Sequence, residues 1–311
     1  MVDDTKDKSL ATEENNLSRV PSGKEDLFLI HTKSRDERGG RGSQMAEANP
    51  YVEKWAKCFN GAQPLMDIGC AYGSNVDSAA SFLASDDASE CKVKILAADF
   101  EDSHLDYVNN LHILGVETVR CKLPNEMPTD EVKSYGGLSG ILVSEVLHFC
   151  TGSEIDASLS WMFNSLVPGG KLFITACSPY IGGAWSADKH EILTKQREGI
   201  RQGLKWPLSP DNSFGPMYAF ERERLANPES LKIRYGDDYK EILDALPVTM
   251  HLLDWELVDA CREVGFQILE AKLAWRDGYP EGCKFDGREM IHIIAMKPDE
   301  SIAEPSYHRP P

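Results

Sequence analysis

The chain has 311 residues, 33 basic against 50 acidic side chains and a formal net charge of −17, so it has room for one large α/β domain with an insertion, or at most two ordinary domains. The excess of acid, with no basic stripe interleaved with aromatics, argues against a nucleic-acid partner, whose phosphates it would repel. There is no apolar run of about 18 residues to cross a membrane, the N-terminus is polar where a signal peptide is apolar, and the eight cysteines include no C-x-x-C pair, which together predict a soluble cytoplasmic protein with reduced thiols, no membrane association and no metal site.

Residues 1–26 are charged and nearly free of aromatics, and are expected to form a disordered tail. Residues 27–60 form an N-terminal segment containing a Gly- and Arg-rich turn at 38–42 and a helix near 46–59, in which Tyr51, Trp55 and Phe59 recur at helical spacing. From Leu65 strands and helices alternate as in a doubly wound, mostly parallel sheet. The expected order is strand one at Leu65–Ile68, a helix at Val76–Ala84, strand two at Val93–Ala98 and a helix at His104–Leu114 capped by Gly115. Strand three is expected at Val116–Cys121 and strand four at Gly140–Ser144, followed by a helix at Ile155–Leu166 closed by Pro168-Gly169-Gly170, and strand five at Lys171–Ala176. The rhythm breaks over 178–250, which is rich in Pro, Gly, Trp and Tyr. It returns with a helix at Trp255–Val264, strand six at Gln267–Lys272 and strand seven at Met290–Met296. A closing strand pair after a β-α series implies one antiparallel strand in a seven-stranded sheet. Residues 298–311 are expected to be a flexible tail.

The densest signal is Asp67-Ile-Gly69-Cys70-Ala71-Tyr72-Gly73 at the end of strand one. An acid followed by small residues at alternate positions lets backbone approach a ligand closely at the carboxyl end of a first parallel strand. Read as G-x-G-x-x-G, the same stretch offers Gly69, Ala71 and Ser74, a poor dinucleotide match. Read as an acid with small residues two, four and six positions later, it fits with one Ala for Gly. On these residues, and on the closing strand pair, the chain resembles the class I S-adenosylmethionine-dependent methyltransferases over roughly residues 45–297.

The resemblance implies a Rossmann-like methyltransferase fold over 61–297, an aromatic lid insertion at 178–250, and S-adenosyl-L-methionine as cofactor. It places Asp67, Gly69, Cys70, Ala71 and Gly73 against the cofactor, mainly through backbone. Asp99 would accept the ribose hydroxyls, with Phe100 beside it. Ser144 and Glu145, after strand four, would face the methyl group, and Tyr51 would close over the cofactor, unless it belongs to a packing stripe. Many members carry an acid for the adenine soon after strand three. This chain has Arg120-Cys121-Lys122 there, which leaves that contact unassigned. His148 is a candidate general base, with Glu145 beside it; the alternative is a structural histidine at a helix start. Tyr180, Trp185, His190, Trp206 and Tyr218 are candidates for the substrate pocket, against the alternative that they form the lid's own core. The activity implied is methyl transfer to N, O or S of a small apolar or aromatic metabolite. The alternatives are a protein or peptide acceptor, and cofactor binding without transfer.

Overall fold

The structure is a computed structural model, which describes residues 48–84, 94–181, 189–210, 251–277 and 284–299. Among them seven strands, β1 (Leu65–Ile68), β2 (Ile95–Asp99), β3 (Val116–Arg120), β4 (Leu138–Ser144), β5 (Leu166–Cys177), β6 (Gln267–Ala274) and β7 (Met290–Met296), form one sheet in the order β3-β2-β1-β4-β5-β7-β6. β7 runs antiparallel to both its neighbours, and every other pairing is parallel. β1 and β2 are buried along their whole length and β4 up to its last residue, which is why they read as unbroken apolar runs and not as alternating ones. The two edge strands, β3 and β6, are partly exposed and polar.

The helices are α1 (Val52–Ala56), α2 (Ser74–Leu83), α3 (Asp102–Asn110), α4 (Thr129–Ser134), α5 (Gly152–Ser165), α6 (Lys189–Arg201) and α7 (Trp255–Val264). The period-two alternation of strand side chains divides the apolar residues between two cores. Met66, Ile68, Val143 and Ile174 face the side covered by α5 and α7. Leu65, Ala97, Leu142 and Phe173 face the side covered by α1, α2 and α3, with Trp55 fully buried among them.

β1, α7 and β7 occupy the expected residues. Of the helix expected near 46–59, residues 46 and 47 lie outside the described residues, and among those described it is regular over Val52–Ala56, after which Asn60 caps the bend by accepting from the backbone of Ala62 and Gln63. β5 starts at Leu166, earlier than expected. Pro168-Gly169-Gly170 is drawn into the strand by Gly169 N–H donating to Lys297 at 2.8 Å and Lys297 N–H donating to Gly170 at 2.9 Å. α4 and a 3-10 turn at Leu147–Phe149 are additional elements, and α6 gives helical form to part of the region after β5. The expected tail at 1–26, the Gly- and Arg-rich turn at 38–42, all of the expected tail at 298–311 beyond residue 299, and the larger part of the lid at 182–188 and 211–250 lie outside the described residues.

Candidate active site

The carboxyl ends of β1, β2, β4 and β5 converge on one rim. Ser144, Thr175, His292 and Lys272 are register partners across β4, β5, β7 and β6. Gly69 and Asp99 continue that line one step beyond the Ile68–Ala98 and Ile68–Val143 pairs. A polar row therefore runs along the rim, on the face that carries α1 and α2.

The turn after β1 takes its shape from alternate left-handed residues, with φ of 76° at Gly69, 46° at Ala71 and 83° at Gly73. This spacing accounts for the small residues, since L side chains with a Cβ are strained there. Gly69 has a second reason to lack a side chain: a Cβ would stand 2.3 Å from Val146 Cγ2, in the loop after β4. The clearance at Gly69 is thus used by the fold itself. Gly69 and Cys70 N–H both donate to Ala98 O, at 2.8 and 2.9 Å, pinning the turn to β2. The Cys70 thiol points into the core, where burial raises its pKa well above the usual range.

Asp67 is fully buried, and neither carboxylate oxygen takes a hydrogen bond. Burial pushes its pKa up to about 7, and the charge of Asp99 adds to the rise. The nearby Asn75 amide offsets part of it without reaching bonding geometry. Asp99 stands at the end of β2 as expected, but its oxygens are already engaged. Oδ2 accepts from Ala71 N–H at 2.9 Å, Oδ1 accepts from Glu101 N–H at 3.0 Å, and His104 Nδ1 lies 3.2 Å away. A carboxylate has about four lone-pair positions, so acceptor capacity remains for a diol. Phe100, beside it, is 45% exposed.

Several candidates sit differently from their expected roles. Tyr51 does not lie over the turn. It is buried against Phe173 and His292, and its hydroxyl donates to Glu270 Oε1 at 2.9 Å. Glu145, left-handed at φ 60°, is ion-paired with buried Arg276, so its carboxylate is stabilised as an anion and is no ready proton acceptor. His148 is buried in the 3-10 turn, and its Nδ1 has no hydrogen-bond partner. Burial, and then the neighbouring His251, lower its pKa to about 3, which makes it a neutral, weak base at physiological pH.

The substrate candidates divide in the same way. Trp206 is core: its ring packs where a Gly152 Cβ would go, stacks edge-on with His251, and donates from Nε1 to Asp156 at 3.2 Å. His190 is exposed on α6. Tyr180 is half-buried beneath the Arg288 guanidinium, 3.8 Å from its ring centre. Trp185 and Tyr218 lie outside the described residues.

Asn49 was not among the sequence candidates. Its amide donates to Ser144 Oγ at 2.9 Å and to Thr175 Oγ1 at 2.8 Å. Its Oδ1 accepts from Tyr51 N–H, and its own backbone N–H donates to Asn75 Oδ1. A lone Asn before Pro50 gives no periodic or motif signal; only its position on the rim marks it.

Among the described residues no group of His, Cys, Asp and Glu is arranged to hold a metal ion, and no helix is long and apolar enough to cross a membrane. No protein-family model matches the chain, and no curated protein matches it. Solved structures with a related outline include an S-adenosylmethionine-dependent methyltransferase from Mesorhizobium loti (16% identity, TM-score 0.47, 78% of this chain and 97% of that one). PKMT2 from Rickettsia typhi in complex with AdoHcy (13%, 0.44, 80% and 53%) and an O-methyltransferase family protein from Burkholderia thailandensis (14%, 0.42, 81% and 56%) are others. In this chain's own sheet, the order β3-β2-β1-β4-β5-β7-β6 with β7 alone reversed is the Rossmann-like methyltransferase fold.

Proposed function

We propose that the chain is an S-adenosyl-L-methionine-dependent methyltransferase whose acceptor is a small apolar or aromatic metabolite. The observation that carries this reading is the turn after β1: left-handed at alternate residues and tied by Ala71 N–H to Asp99 across the ends of β1 and β2. The residues present fit the cofactor's chemistry. The buried, unbonded Asp67 carboxyl suits a ligand that brings positive charge close to it. Asp99 keeps acceptor capacity for a diol, and Phe100 offers an exposed ring for a base to cover. Bound there, the cofactor would supply an activated methyl group for in-line displacement by an acceptor N, O or S.

The chain's own contribution is mainly placement and exclusion of water. With His148 neutral and Glu145 ion-paired, neither is a strong base, so catalysis rests on orientation, an effect that reaches about 7–11 kcal/mol in well-aligned systems. The aromatic content of 178–250 supports an apolar acceptor. Calorimetric titration with S-adenosylhomocysteine, with NADH as control, tests the reading. Micromolar binding of the first alone is expected, followed by labelled-methyl transfer to aromatic or amine metabolites. If NADH binds instead, or neither ligand does, the reading fails; transfer only to basic peptides would replace the small-molecule acceptor with a protein one.

A further inference from the structure

We infer that Asn49 is a positioning residue that sets the direction of the Ser144 hydroxyl proton at the ligand rim. The amide orientation is not free to invert. Oδ1 accepts from Tyr51 N–H at 2.9 Å, so Nδ2, with two protons, must face the hydroxyls, and it donates to both Ser144 Oγ and Thr175 Oγ1. A hydroxyl that accepts from an amide must point its own proton elsewhere. Thr175 is fully buried, whereas Ser144 is half-buried and lies one step beyond the Ile68–Val143 pair, level with Gly69. Ser144 therefore presents an oriented donor to whatever lies on the turn. Pro50 restricts Asn49 to extended backbone, and the Asn49 N–H held at 2.8 Å by Asn75 Oδ1 fixes that backbone to the first turn of α2. The same Asn75 lies beside Asp67, so one residue joins the acid of β1 to the hydroxyls of β4 and β5.

This inference rests on the proposed cofactor only for the identity of the probe. Two measurements on the full chain test it, using N49A, S144A, the double variant, N49D, and E270Q as control. Glu270 bonds Tyr51 and Lys54, so E270Q loosens α1 without touching the Asn49 amide. In S-adenosylhomocysteine titrations, N49A and S144A should each weaken binding about five- to tenfold, the yield of one oriented hydrogen bond. The double variant should be no weaker than S144A alone. N49D keeps the acceptor for Tyr51 but draws both hydroxyl protons toward itself, and should also weaken binding, while E270Q should not. Equal losses in E270Q and N49A, or losses that multiply in the double variant, would overturn the assignment and leave Asn49 a purely structural latch. Denaturant midpoints of the unliganded variants give the second reading. A non-zero coupling between Asn49 and Ser144 is expected even if wild-type protein binds no S-adenosylhomocysteine, an outcome that removes the cofactor reading alone; zero coupling removes the inference.

Discussion

At the residue scale the rim holds one buried carboxyl, Asp67, that takes no hydrogen bond. Asp67, with a folded pKa of about 7 against an ordinary value of 3.8, binds a proton in the folded state that it releases on unfolding. The folded protein is therefore favoured below pH 4, and that contribution is lost as pH rises through about 7. D67N should remove this slope, making the variant relatively more stable than wild type as pH increases from 5 to 8 in thermal melts; parallel pH curves would show that Asp67 is not protonated in the fold. Gly69 gives a second residue-level expectation. The clash of an added Cβ with Val146, together with its positive φ, predicts that G69A costs about 1–3 kcal/mol. V146A should recover part of that loss, leaving the φ strain, as judged by denaturant midpoints. Asp67 and Gly69 were legible in the sequence because the turn needs an acid and small residues at fixed spacing. Asn49 and Arg276 were not, because their partners lie 126 residues away in the case of Asn49 and Thr175, and across the sheet in the case of Arg276 and Glu145.

At the element scale, α5 shows how a local signal and a distant contact combine. Thr151 and Glu154 form a capping box, with the Thr151 side chain accepting from Glu154 N–H and the Glu154 carboxylate accepting from Thr151 N–H. Replacing Thr151 with Ala should cost about 1 kcal/mol. Next to it, Gly152 leaves the space that the Trp206 ring fills, and a Cβ there would stand 2.3 Å from Cδ1. G152A should therefore destabilise by more than T151A and should expose Trp206, seen as a red-shifted emission; an unshifted spectrum at lowered stability would mean that the helix gives way before the ring does. The same packing explains why Trp206, an aromatic in a region expected to hold substrate, belongs to the core. Sequence shows that a region is aromatic, but not which face of which helix those rings meet. β5 makes a similar point: Pro-Gly-Gly commonly ends a helix, yet here backbone bonds to Lys297 hold it in the sheet.

At the scale of the whole molecule, burial of histidine works against the acid-side contribution of Asp67. His148 and His292 are held at about 3 and about 4 by burial, with like charge nearby in each case: His251 for the first, Lys272 and Arg276 for the second. Each is neutral when folded and protonated when unfolded below pH 6.5, so stability should fall as pH drops from 6.5 toward 4. H292Q should flatten that fall in thermal melts between pH 4 and 7, whereas an unchanged profile would assign acid sensitivity to other groups. H148Q should also leave no missing ionisation near pH 6.5 in a pH-rate profile, since a group titrating at about 3 contributes none there.

The sequence alone determined the α/β class, the succession of strands, the reversal at the end of the sheet, and the turn at 67–73. All of these follow from neighbours within a few positions: hydrophobic period, glycine conformation, and unbroken apolar runs where a strand is covered on both faces. Tertiary structure alone decided the chemistry available to the side chains. It buried Asp67 without a bond, engaged Asp99 with the backbone, paired Glu145 with Arg276, sank His148, and placed Asn49 across β4 and β5. The physical reason is that protonation and hydrogen-bond direction depend on desolvation and on partners brought from distant parts of the chain, and neither has a signature in local spacing.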